Sequence, residues 1–267
     1  MTAAPASTAR SRVLPLISIG VVAGILSGLF GVGGGVIVVP ALMVVLGMNQ
    51  RRASGTSLIA IAPASVVGAA TYAINGNVHL LAAALIAVGS ITGSQIGVRL
   101  LRVIADRVLP WLFAAFIAVV IASLFFAAPS RGSSIEIDLP NAALLVGIGL
   151  IGGVLSGLVG VGGGVVVVPG LEVVLGVGDL VAKGTSLAMM IPTAVSGTVS
   201  NLRRGNADLG AGLTIGITAS VLAPVGALIA AVLAPTTATV LFICFLVIVA
   251  GLVIWRSQQP RTPQPSA

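Results

Sequence analysis

The feature that most constrains this chain is a segment it contains twice. Ser27–Leu42 reads SGLFGVGGGVIVVPAL and Ser156–Leu171 reads SGLVGVGGGVVVVPGL, differing only at Phe30/Val159, Ile37/Val166 and Ala41/Gly170. The same offset of 129 residues carries the GTSL of Gly55–Leu58 onto Gly184–Leu187, Pro63 onto Pro192, and Asn75-Gly76-Asn77 onto Arg204-Gly205-Asn206. Two copies of one unit, each opening on a glycine-rich break between apolar runs, must fold as one body with two related halves. In a membrane, such a pair commonly marks a binding site between repeats.

Composition supplies the membrane. Hydrophobic residues make up 57% of the chain and charged residues 7%. Soluble domains carry about 25% charged residues, so this chain has too few to cover a water-facing surface. Runs of about 20 apolar residues, each long enough to cross a bilayer, are expected as helices at Ala53–Ala73, Leu80–Val98, Val108–Ala127, Gly184–Leu202, Leu209–Leu233 and Thr237–Trp255. The division that follows is an N-terminal tail (1–12), repeat 1 (13–128), a linker (129–140), repeat 2 (141–256) and a disordered C-terminal tail (257–267). The apolar run after Arg10 and Arg12 looks like a secretory signal. It continues into a motif whose twin lies mid-chain, so an uncleaved segment is expected. The net charge of +7 is spread singly and in pairs between spans, without interleaved aromatics. It reads as orientation signal and gives no case for nucleic acid.

Each repeat begins with an apolar stretch too long for one span: Val13–Met48 is 36 residues. If it crosses once, the basic residues divide almost evenly between the two faces. If it goes in and returns as a hairpin broken at Gly31-Val32-Gly33-Gly34-Gly35, 11 basic residues share one face. Only Arg131 and Lys183 are left on the other. The positive-inside rule selects the hairpin, with both termini cytoplasmic. Each repeat then makes an odd number of crossings, and the second must be inverted relative to the first. The expected fold is an all-α polytopic membrane protein of two inverted-topology repeats, each a glycine-broken hairpin plus three transmembrane helices. Whether the hairpins are re-entrant or short full spans stays open here.

The motifs have binding and packing readings. Gly33, Gly34 and Gly35, with Gly162, Gly163 and Gly164, let backbone adopt positive φ and a ligand approach its N–H groups. The β-branched runs Val36–Val39 and Val165–Val168 suit extended segments, with Pro40 and Pro169 opening short helices whose N-termini favour an anion. Thr56 and Ser57, with Thr185 and Ser186, offer neutral hydroxyl donors; helix capping is the competing role. Pro63 and Pro192 should loosen the spans that hold them. Gly89, Gly93 and Gly97 form a small-residue face for tight helix contact, and Gln95 is polar on the same span. Glu172, whose counterpart is Met43, is an acid inside an apolar run and a candidate coupling group, unless it lies at the membrane edge. His79 and Asp208 occupy equivalent loop edges. Cys244 stands alone, so no disulfide framework exists. One histidine excludes a His-rich metal site, and no phosphate loop for ATP is present; no cofactor, metal or catalytic group is expected.

At the paired GVGGG-V-x-V-V-P-x-L and GTSL segments the chain resembles the sulfite exporter TauE/SafE family of membrane permeases, from about Leu14 to Trp255. The resemblance implies a cytoplasmic-membrane carrier for a small anion such as sulfite, a sulfonate or a related organosulfur compound. The glycine loops and hydroxyls would form the site, and the halves would rock about it. A passive anion channel and a non-transport accessory protein remain alternatives. The partners expected are the small anion and lipid, and a homo-oligomer is compatible with the pattern.

Overall fold

A computed structural model describes residues 6–100, 104, 108–124 and 137–257. Much of the linker, most of the C-terminal tail and the arginines at 102, 107, 131 and 261 lie outside the described residues. Within them the chain is all α-helix. Repeat 1 comprises α1 (Ala6–Phe30), α2 (Gly35–Val45), α3 (Gln50–Ile74), α4 (Leu80–Leu100) and α5 (Leu109–Leu124). Repeat 2 follows the same order: α6 (Leu139–Val159), α7 (Gly164–Leu175), α8 (Asp179–Arg203), α9 (Leu209–Val232) and α10 (Pro235–Ser257). Every expected span is a helix over its described residues; positions 125–127 of the third span lie outside them. Six helices (α1 from Val13, α3, α4, α6, α9, and α10 to Leu252) are long and apolar enough to cross a membrane. The described part of α5 is 16 residues, and α8 carries Asp179, Lys183 and Arg203. Large apolar side chains such as Val88, Ile217, Val221 and Ile248 are more than half exposed, as a lipid-facing surface requires.

One expectation is corrected. Val36–Val39 and Val165–Val168 are helical, inside α2 and α7, and Pro40 and Pro169 sit in the interior of those helices instead of opening them. Away from water, an extended segment would leave its backbone groups unpaired, and this cost exceeds the weak β preference of valine. The proline then costs one hydrogen bond within a helix held by its neighbours. The helices instead open on glycine: Gly34 and Gly163 are their N-caps, at φ +72° and +80°.

The repeats interleave. The most extensive contacts pair α1 with α9 and α4 with α6, each the counterpart of the other, and α3 packs along α8. Small residues set the distance. A Cβ on Gly93 would strike the Leu150 carbonyl, and Gly89 and Gly97 lie equally close to the backbone of α6. The expected small-residue face on α4 is therefore a helix–helix contact. A second small-residue stripe, Gly20-Gly24-Gly28 on α1, packs on α9 at Ile215, Ala219 and Ala223. Gly55, near the start of α3, abuts the Asn206 carbonyl beyond the end of α8, while Gly184 abuts the Asn77 carbonyl beyond the end of α3. Equivalent helices α3 and α8 therefore run antiparallel, and this pair of contacts is reciprocal.

Candidate functional site

The broken hairpins are unequal. α1 is long, whereas α2, at 11 residues, rises only about 16 Å, about half a hydrocarbon core. After Phe30 the chain folds back, so that Gly34 lies against the Ala23 carbonyl; Gly163 lies likewise against Gly152. Both helix N-termini therefore start about two turns before the end of the preceding helix. Gly33 and Gly162 both face the Met190 methyl group and the Ile61 side chain, residues that are themselves repeat equivalents at the centres of α8 and α3. Gly164 packs over Gly31 and Val32, and Gly35 over Val161. All six candidate glycines are buried. The two turns thus converge at the centre of the molecule, with Ile61 and Met190 filling the space between them.

The GTSL segments have divided roles. The Thr56 hydroxyl accepts the Asp208 N–H at 2.9 Å, and the Thr185 hydroxyl accepts the His79 N–H at 3.0 Å. Each threonine fastens its helix to the entry of a helix in the other repeat. His79 and Asp208 in turn cap α4 and α9, accepting from Ala82 and Ala211. The glycine before each threonine admits the neighbouring loop carbonyl. Ser186 donates to the Gly31 carbonyl at 2.9 Å, bracing the first glycine turn from the opposite repeat. Ser57, also fully buried, has no hydrogen-bond partner among the described residues. The buried hydroxyls of Ser65, Ser90 and Thr198 likewise have none, and a buried hydroxyl of this kind is available to a water or a ligand.

One end of the molecule holds a cavity of about 70 Å³ leading toward the second glycine turn, lined by Arg51, Ser54, Ser156, Gly157, Gly160, Asn201, Arg204 and Asn206, with Leu58 and Val98 as apolar walls. Arg51 and Arg204 are exposed at its mouth, while Ser54 and Gly160 are buried at its floor. Ser54 donates to the Val159 carbonyl at 2.8 Å, and the Asn201 amide donates to Gly197. This set combines two cations and neutral polar groups with an apolar wall of similar extent, and its donors are of a kind that can meet an anion. In the sequence alone, Arg51 and Arg204 read only as orientation charges. The one available signal was Arg204-Gly205-Asn206 standing where repeat 1 has Asn75-Gly76-Asn77. A larger surface depression nearby contains Arg52, whose guanidinium is paired with Asp208 at 3.2 Å. It does not reach the turns.

The opposite end carries the buried charges. Lys183 and Asp179, on α8, are 4% and 3% exposed and paired at 3.3 Å. Glu172 is half-buried on α7 and within electrostatic reach of both. Tyr72, 3% exposed, donates its hydroxyl to the Gly28 carbonyl at 2.8 Å. The expected coupling candidate thus belongs to a cluster with Asp179 and Lys183, and Gln95 is half-buried on α4, outside the cavity. No group of three or more metal-ligating side chains occurs among the described residues.

Comparison with known proteins matches this architecture. The family model for the sulfite exporter TauE/SafE matches residues 2–124 and 145–267, one segment in each repeat. The probable membrane transporter protein YdhB of Bacillus subtilis is 28% identical over 188 residues, 69% of this chain and 77% of that protein. Another from the same organism, YunE, is 26% identical over 72% of this chain and 79% of its own length. A probable membrane transporter protein of Methanocaldococcus jannaschii is 32% identical over 58% and 59% of the two chains.

Proposed function

The chain belongs to the sulfite exporter TauE/SafE family, a membrane transporter, and on that premise we propose that it is a secondary permease for a small oxyanion. Sulfite, a sulfonate or a related organosulfur compound is the class of substrate. The observation that carries this reading is the vestibule of Arg51, Arg204, Ser54, Asn201 and Asn206, which leads to Gly160 at the foot of the second glycine turn. Exposed arginines attract the anion without holding it too tightly, because water screens them. Neutral donors deeper in share its charge while still allowing release.

From the vestibule the anion passes to the centre, between Gly33–Gly35 and Gly162–Gly164. There the N-termini of α2 and α7 supply N–H groups and positive dipole ends, and the partnerless Ser57 hydroxyl supplies a donor. Met190 and Ile61 close this point when no anion is present, methionine being flexible enough to withdraw. That apolar closure favours a gated carrier over a passive channel. The antiparallel α3 and α8 and the reciprocal packing support inverted repeats that rock about the turns, opening the centre to one side at a time. The arginine end is cytoplasmic by the positive-inside rule, in the cell membrane. Transport proceeds without ATP hydrolysis or chemical change to the substrate, and Glu172 is the group that couples it to protons.

The test is flux into proteoliposomes with sulfite, alkyl sulfonates and carboxylates. Saturable, counterflow-competent uptake is expected for a sulfur oxyanion. The double variant Arg51→Gln/Arg204→Gln should raise the half-saturating concentration by about tenfold or more. Flux linear in concentration would identify a channel. Absence of flux for every anion would refute transport.

A further inference from the structure

The repeat relation allows the arginine-end vestibule to be compared, residue by residue, with the other end of the molecule. Much of its scaffold recurs there unchanged: Ser156 corresponds to Ser27, Gly157 to Gly28, Gly160 to Gly31 and Asn206 to Asn77. Four of its polar positions differ. Arg51 and Arg204 correspond to Leu180 and Asn75, so neither guanidinium recurs; deeper in, Asn201 becomes Tyr72 and Ser54 becomes Lys183. At the arginine end these positions border open space. At the lysine end they are filled: the Tyr72 ring is buried, with its hydroxyl on the Gly28 carbonyl, and Lys183 is buried against Gly31. The backbone approach is the same at both ends, the Lys183 Cα lying 2.6 Å from the point a Cβ on Gly31 would occupy and the Ser54 Cα 2.5 Å from that of Gly160, so the ends differ in the longer side chains of Lys183 and Tyr72. Ser27, the counterpart of a vestibule residue, is fully buried and has no hydrogen-bond partner among the described residues. A hydroxyl so placed makes sense if water or an anion reaches it in another state.

From this correspondence we infer that the lysine end holds a second binding site for the transported oxyanion, with Lys183 as its cation and Ser27 as a neutral donor, closed here by Tyr72 and by the Asp179 carboxylate that occupies the amine. The inference rests on the permease reading above. A buried ammonium is costly unless an anion accompanies it, and Asp179, one helical turn away on α8, supplies that anion while the end is shut. When α8 and the end of α3 move away from the α1–α2 turn, Tyr72 releases Gly28, the space homologous to the vestibule opens, and the substrate takes the carboxylate's place. A tethered carboxylate that competes for the amine also speeds release, because the anion leaves without stranding the charge. The two ends then differ by design: the arginine end presents exposed guanidinium groups, the lysine end a cation shielded until the gate opens.

The experiment reads opening and binding separately, in a Cys244→Ala background. Ser156→Cys and Ser27→Cys proteins in proteoliposomes are exposed to a charged, membrane-impermeant thiosulfonate on each side in turn. Ser156→Cys should react from one side, and Ser27→Cys only slowly, from the other. Adding Tyr72→Ala should raise the Ser27→Cys rate by more than about tenfold. Tyr72→Phe, which removes one hydrogen bond and little volume, should raise it up to about tenfold. For binding, the double variant Lys183→Gln/Asp179→Asn removes both charges and strands neither. With sulfite, or whichever anion the wild type carries, its half-saturating concentration should rise about tenfold or more for anion presented at the lysine end. Less than twofold change is expected at the arginine end. A Ser27→Cys rate indifferent to both Tyr72 variants, or equal affinity changes at the two ends, overturns the inference while wild-type flux leaves the permease reading standing. If the labelling contrast appears but the wild type carries no anion, the permease reading fails and the ligand role of Lys183 with it.

Discussion

Thr56→Val and Thr185→Val should each destabilise the protein without changing its affinity for an anion. Valine matches threonine in volume, so no cavity forms and the change isolates the hydroxyl. Each threonine is fully buried, and its oxygen accepts one backbone N–H across the repeat boundary, at 2.9 Å from Asp208 and 3.0 Å from His79. Stranding a buried donor costs about 1–3 kcal/mol. Asp208 and His79 are only half-buried, so water recovers part of this and about 1–2 kcal/mol per site is expected. The two sites lie at the starts of antiparallel α3 and α8, share no partner, and should add to within about 0.5 kcal/mol. Thr56→Ser and Thr185→Ser keep the acceptor and should restore most of the loss. Reversible denaturant titration in mixed micelles gives the stabilities, and equilibrium binding of the transported anion to the same samples gives the affinities. Stability within about 0.5 kcal/mol of wild type, together with a large loss of anion affinity, would refute the latch and make the threonines ligands.

Gly34→Ala and Gly163→Ala force a side chain into left-handed backbone, a cost of about 1–2 kcal/mol each. Gly34→Ala should be the worse, because its Cβ would meet the Ala23 carbonyl at 2.7 Å, against 3.1 Å to Gly152 for Gly163. Folded yield on size-exclusion should follow that order, and anion affinity of the purified remainder should fall in both. Unchanged affinity in both would remove the turns from the site. Glu172→Gln should abolish the pH dependence of uptake while leaving folded protein in the membrane, measured as initial rates across pH in proteoliposomes. A wild-type pH profile would make the residue an edge carboxylate screened by Lys183. A single cysteine at Gln50, in the Cys244→Ala background, should react with an impermeant reagent only from the cytoplasmic face; reaction only from outside would overturn the assigned orientation.

Sequence by itself determined the membrane class, the two repeats and the helical spans. These depend on local composition and on an identity that needs no partner to be seen. The broken hairpin was also legible, since basic residues sort by side whatever the packing. The small-residue face on α4 could be read because a four-residue spacing stays on one side of a helix. Tertiary structure alone decided what each polar group meets. Thr56 and Ser57 are adjacent in sequence, yet one is tied to Asp208 and the other has no hydrogen-bond partner among the described residues, because their side chains leave α3 in different directions. The valine runs after the glycines became helix because surroundings set the cost of unpaired backbone, and surroundings are not written in a four-residue window. Arg51 and Arg204 became one vestibule only because the start of α3 and the end of α8 lie together. The same exchange of ends sets Tyr72 and Lys183 beside the α1 turn, where their larger side chains fill space that Asn201 and Ser54 leave open at the other end of the molecule.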